Sequence, residues 1–172
     1  MELTMQERPA LDRVAARWQA GEAEAAEEVW TLCGARLLRL ARALTGSVNQ
    51  AEDATQEAFL RAWRFLGRYQ PDRAFEPWIT TILVRECRRI TRRTPTHAAL
   101  PADLAQPEPS MRLYHAIEEL PRPLRETIAL HYLHGYDVQE TAGTLGIPAG
   151  TVKSRLSRAR TLLRQALKED GT

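Results

Sequence analysis

The sequence predicts an all-α fold, two small helical domains joined by a proline-rich linker, the second containing a helix-turn-helix. Three observations carry that expectation. Alanine, leucine, arginine and glutamate dominate, and no alternating β-branched run suggests a strand. Apolar residues recur at helical spacings of three and four. Residues 94–110 (TPTHAALPADLAQPEPS) hold four prolines, few large apolar residues and no period, so they read as a linker between 1–93 and 111–172.

Residues 1–10 have little pattern and predict a frayed start. A short helix follows over 11–18, broken by Gly21. The next runs over 23–44 with Val29, Leu32, Cys33, Leu37, Leu40, Ala41 and Leu44 near a helical repeat; Gly34 weakens its middle and Gly46 closes it. A third helix, 51–66, starts after Asn49 or Gln50. Its stripe of Ala51, Thr55, Ala58, Phe59, Ala62 and Leu66 points inward. Its far side carries Asp53, Gln56, Glu57, Leu60, Arg61 and Arg64. A leucine in an acid-led face suits the docking of another protein's helix, although single exposed leucines are also ordinary.

Residues 67–77 read as a loop with Tyr69 and Phe75, and a helix follows from Trp78 to position 93. Aromatics beside Arg85, Arg88, Arg89, Arg92 and Arg93 fit two accounts: stacking of unpaired bases along a basic track, or closure of the core under solvated arginines. Beyond the linker come helices over 111–120 and 124–134, then the best-marked stretch. Asp137 and Glu140 form a capping-box pattern, Gly146 ends that helix, and Pro148 opens the next. Val152, Leu156, Ala159 and Leu163 make one apolar stripe. Ser154, Ser157, Arg158 and Thr161 lie opposite, flanked by Lys153, Arg155, Arg160 and Arg164. That arrangement suits a major groove, where side chains meet base edges and cations meet phosphates; a solvated basic face on a bundle helix is the plainer account.

Formal charge is only +2, so any nucleic-acid surface comes from segregation of charge. Cys33 and Cys87 are the only cysteines and have no ligand spacing, which predicts buried thiols in a reducing compartment. No early apolar run suggests a signal peptide or membrane span, and a cytoplasmic protein is expected. Phosphate loops, nucleophile elbows and zinc motifs are absent. His131 and His134 stand three apart without an acidic or Cys ligand beside them. Neither an enzyme, a metal, a cofactor nor a small-molecule substrate is expected.

Read together, the halves resemble an extracytoplasmic-function (ECF) sigma factor of the sigma-70 family. RLLRLARALTGSVNQAEDATQEAFLRAW (36–63) and FEPWITTIL (75–83) resemble its region two; IEELPRPLRETIALHYLHGYDVQETAGTLGIPAGTVKSRLSRARTLLR (117–164) resembles its region four. The resemblance implies a dissociable subunit that joins core RNA polymerase and selects promoter DNA, with an anti-sigma factor as a further candidate partner. It implies polymerase contact through Asp53, Gln56, Glu57, Leu60 and Arg61, and minus-10 recognition and melting through Tyr69, Phe75, Trp78, Arg85, Arg88 and Arg89. Minus-35 recognition would fall to Lys153, Ser154, Arg155, Ser157 and Arg158. The sequence departs from the family pattern at Arg85, where Asn is common, at Glu86 and Thr141, where apolar residues are common, and at Gly143 in mid-helix. Glu86 falls on the apolar stripe of Ile79, Ile82, Leu83 and Ile90 and needs a partner, for which Arg89 is placed. A stand-alone dimeric helix-turn-helix regulator is the alternative, as is an adaptor using the acid-and-Leu60 face alone.

Overall fold

The computed structural model describes residues 7–93 and 109–169 and contains helices, turns and no strand among them. In chain order the α-helices are α1 (Glu7–Gln19), α2 (Glu24–Thr45), α3 (Val48–Phe65), α4 (Phe75–Arg93), α5 (Pro109–Glu118), α6 (Arg122–Ile128), α7 (Val138–Leu145) and α8 (Ala149–Glu169). Most of the 94–110 linker lies outside the described residues, and α5 begins within its last two positions.

Several helix starts differ from expectation for physical reasons. Helix α3 begins three residues early because Ser47, rather than Asn49 or Gln50, accepts the Gln50 amide at 3.4 Å and stands in extended backbone. Helix α4 also begins three residues early. Its first amide, Phe75 N–H, donates to Asp12 Oδ1 of α1 at 2.8 Å, and Pro77 is tolerated because it sits in the first turn. The expected helix 124–134 is instead α6 followed by a π turn, Ala129–Leu133. That extra residue per turn swings His134 and Tyr136 toward the first half.

Helices α2, α3 and α4 pack on one another, with α1 across α2 and α4. Their core includes Leu11, Val29, Leu37, Leu40, Phe75, Ile79 and Leu83. In the second half α8 packs on α5, α6 and α7 around Ile117, Leu124, Ile128, Val152 and Leu156. Each such side chain contributes about 1.5–3 kcal/mol when fully buried, enough to hold a short helix that would be marginal alone. The two halves also share apolar packing: Ala129, Leu130, Tyr136 and Leu145 belong to the first half's core, and α4 lies against α7.

Candidate nucleic-acid and protein interfaces

The helix-turn-helix is built as its sequence signals require. Asp137 accepts the Glu140 amide at 2.7 Å while Glu140 accepts the Asp137 amide at 2.9 Å, so the capping box is complete. Gly146 closes α7 at φ +68°, a conformation that favours glycine. Val152, Leu156 and Ala159 are buried, and Leu163 is half-buried. Lys153, Ser154, Ser157 and Arg158 consequently face solvent, with Arg155 half-buried on the flank. Among the described residues no acid lies within ion-pair distance of Lys153, Arg155 or Arg158. Its cations can therefore meet phosphates without first breaking an ion pair, while the Ser154 hydroxyl donates to the Thr151 carbonyl at 2.9 Å.

The basic helix α4 is organised differently. Arg85, Arg92 and Arg93 are exposed. Arg88 instead makes a two-pronged bond to the buried carboxylate of Glu126 on α6, at 2.8 and 2.7 Å, which raises the Arg88 pKa. Arg89 donates to Glu86 Oε2 at 2.7 Å, a bond that raises its pKa likewise. Tyr69 and Phe75 are buried, 3% and 0% exposed. They form an aromatic cluster with Trp78 and Trp18, ring centroids lying 5.1 Å apart for Tyr69–Phe75, 5.4 Å for Phe75–Trp78 and 6.2 Å for Trp18–Phe75. The core account of Phe75 and Tyr69 thus describes this structure, in which neither presents a ring to a base; their edge-on contacts are those of packed rings. Trp78 is half-buried and opens on a cavity of about 390 Å³ between residues 68–74, the first turns of α4 and α7 residues Glu140, Gly143 and Thr144.

On α3, Asp53 and Gln56 are exposed, Glu57 and Arg61 half-buried, and Leu60 41% exposed. Leu60 belongs to an apolar groove of about 800 Å³ lined also by Trp30, Leu38, Phe59 and Trp63. Trp30 and Trp63 are 46% and 64% exposed, and Trp30 meets Phe59 edge-on at 4.8 Å. Gly34 lies beneath the Trp30 ring: a Cβ there would come within 2.8 Å of it, so this glycine makes room for the groove wall. Sequence reasoning found Leu60 and missed the two tryptophans. The signal for Trp63 was its place three residues after Leu60, on the same face.

Between the halves lies a buried polar cluster that no motif announced. Glu76 pairs with Arg36 of α2, and His134 Nε2 lies 3.3 Å from the same carboxylate. Tyr136 donates to Thr80 at 3.0 Å, and Arg8 of α1 pairs with Glu140 at 2.8 Å. Burial, followed by the charges of Arg36, Arg8 and Arg39, pushes the His134 pKa down to about 3, so the imidazole is neutral at pH 7. Burial likewise pushes the thiols of Cys33 and Cys87 up to about 12, which makes them poor nucleophiles. Among the described residues no group of three His, Cys, Asp or Glu side chains could hold a metal, and no helix is long and apolar enough to cross a membrane.

The chain is similar to known proteins over most of its length. Residues 29–95 match the family described as sigma-70 region 2, and residues 110–163 match sigma-70 region 4. The ECF RNA polymerase sigma factor SigM of Mycobacterium tuberculosis is 33% identical over 156 residues, covering 86% of this chain and 80% of SigM. Two solved structures are similar along their length. CnrH in complex with the cytosolic domain of CnrY has a TM-score of 0.78 and 26% identity, covering 94% of this chain and 99% of CnrH. The Bartonella quintana sigma factor RpoE, in complex with the anti-sigma factor NepR, has a TM-score of 0.69 and 27% identity, covering 83% and 96%.

Proposed function

The chain belongs to the ECF RNA polymerase sigma factors of the sigma-70 family, and from that premise we propose how its surfaces divide the work of promoter-specific initiation. It directs core RNA polymerase to promoters. Polymerase docks on α3 through Asp53, Gln56, Glu57, Leu60 and Arg61, and the neighbouring groove of Trp30, Phe59 and Trp63 extends that surface with the apolar area a stable contact needs. The minus-35 element is read by Lys153, Ser154, Arg155, Ser157 and Arg158. The minus-10 strand is tracked by Arg85, Arg88 and Arg89 with Trp78; Tyr69 and Phe75 act there by shaping the loop from beneath, or by turning outward when the second half moves away.

One observation carries the proposal. A capped helix-turn-helix presents four exposed side chains, Lys153, Ser154, Ser157 and Arg158, that meet no acid among the described residues, while the same chain bears an apolar groove on the opposite half. A stand-alone dimeric regulator would leave that groove without a polymerase to fill it. Two of the structural neighbours are complexes with partner proteins, one of them an anti-sigma factor, and an anti-sigma factor covering the groove would keep polymerase off this chain. As a transcription subunit it acts in the cytoplasm. Gel filtration with core polymerase, followed by run-off transcription, tests the assignment: Leu60→Ala and Glu57→Lys should weaken association about tenfold or more without altering promoter preference. Unchanged association would remove α3 from the docking surface.

A further inference from the structure

Glu86 is 3% exposed on a helix face otherwise built of Ile79, Leu83 and Ile90. An apolar side chain would fill that position without a partner, whereas a buried carboxylate persists only when it is paired and hydrogen-bonded. Here each oxygen takes one arginine. Oε1 forms an ion pair with Arg61 of α3, 2.7 Å from its Nε but outside hydrogen-bond geometry, and Oε2 accepts from Arg89 Nε of α4 at 2.7 Å. Both guanidinium groups stay partly in water, with side chains 42% and 36% exposed. Arg89 also reaches toward Glu57 Oε2, 4.0 Å away. The acid is hidden while the cations it holds are displayed, one on each functional helix.

A guanidinium gripped at Nε keeps its two terminal nitrogens directed outward as a fixed fork, the geometry that meets a phosphate. From this we propose that Glu86 is a positioning residue for strand opening: it fixes Arg89 in an outward pose toward the nucleic-acid backbone and ties that pose to Arg61 on the polymerase-facing helix. Engagement of α3 by polymerase then braces the arginine that meets the displaced strand. This rests on the reading of the chain as a promoter-recognition subunit. It gives the acid at position 86 a task, where packing alone favours a hydrocarbon.

The test compares wild type with Glu86→Leu and Glu86→Gln, each alone and combined with Arg89→Ala. In the full-length protein, side-chain nitrogen spectra should show a protected Nε–H signal for Arg89 that loses protection in both Glu86 variants. In holoenzyme, permanganate reactivity of the minus-10 thymines should fall about tenfold for Glu86→Leu, with little further loss when Arg89→Ala is added. Thermal unfolding of Glu86→Leu should match or exceed wild type, which separates positioning from folding. Wild-type reactivity in a folded Glu86→Leu protein would overturn the proposal, as would an undiminished effect of Glu86→Leu in the Arg89→Ala background. If wild type itself stimulates no transcription with core polymerase, the promoter-recognition reading falls and takes this role with it. The Arg89 Nε–H signal would then report only a structural clasp.

Discussion

Helices α8 and α4 are both basic and both expected on DNA, yet their cations are deployed in opposite ways. On α8 Val152, Leu156 and Ala159 are buried, Leu163 is half-buried, and among the described residues the cations on the outer face meet no acid. On α4 two of the arginines are held by buried carboxylates, Arg89 by Glu86 of the same helix and Arg88 by Glu126 of the other half. A free cation contributes its full charge to phosphate binding at once. Arg88 contributes only after Glu126, on the other half, has been displaced, whereas Arg89 is gripped at Nε by its own helix and keeps its terminal nitrogens available. In the proposed division of labour α8 anchors with free cations, while on α4 Arg88 is tied to the other half through Glu126.

The contrast can be broken most severely at Glu126. Its replacement by alanine leaves Arg88 and the nearby Arg122 without their shared carboxylate beside a packed interface. Unfolding in urea should show a loss of about 3 kcal/mol. A loss below half a kcal/mol would mean that Arg88 was never held in solution.

The opposite helix is probed by Arg158→Ala. If Arg158 reaches a base edge, selectivity at the minus-35 element should relax by about 1–3 kcal/mol, measured as relative transcription from single-base promoter variants, with stability unchanged. An equal loss on all sequences would make it a phosphate contact, and the salt dependence should then fall by about one unit of slope.

Acid should act on the α4 side through His134. Its folded pKa of about 3 lies below the ordinary value of 6.5, so the unfolded chain takes up the proton first. The stabilisation is complete above pH 6.5 and declines as pH falls toward 3. Between pH 6.5 and 5 the loss should be about 2 kcal/mol, and His134→Asn should flatten that part of the profile. Carboxylates nearby, Glu76 and Glu140, face the same cluster, so the comparison of variant with wild type isolates the histidine.

Much of α8's half was legible in the sequence because its signals are local. The capping box of Asp137 and Glu140, the left-handed Gly146 and the Pro148 start all act within a few residues. What escaped was non-local. The cap of α4 comes from Asp12, 63 positions away, and the partner of Arg88 lies 38 positions on, beyond the linker. A helical wheel could place five arginines on α4 but could not tell the held from the free. Glu86 marks the boundary, since Arg89 was readable at a spacing of three and Arg61 on the neighbouring helix was not. Closure of the core by Phe75 and Trp78 was one of two open readings, and tertiary packing buries Phe75 fully and Trp78 only in part.

The smallest effect belongs to the first helix of the turn motif. Gly143 is exposed with open space at its missing Cβ, so Gly143→Ala should add about 1 kcal/mol. Thr141 is fully buried, and its hydroxyl finds no partner among the described residues. Thr141→Val should stabilise by a similar amount, read as a rise in thermal midpoint. Neither should change where α8 binds, because both changes face away from its exposed side chains.

The division of labour between the two helices is tested most directly by photocrosslinking in a complex of core polymerase, this protein and promoter DNA. A crosslinker replaces Ser157 on α8 or Arg85 on α4. The account predicts crosslinks from position 157 to duplex at the minus-35 element and from position 85 to the separated strand at the minus-10 element. Crosslinks from both positions to one stretch of duplex, or none from position 157, would contradict it.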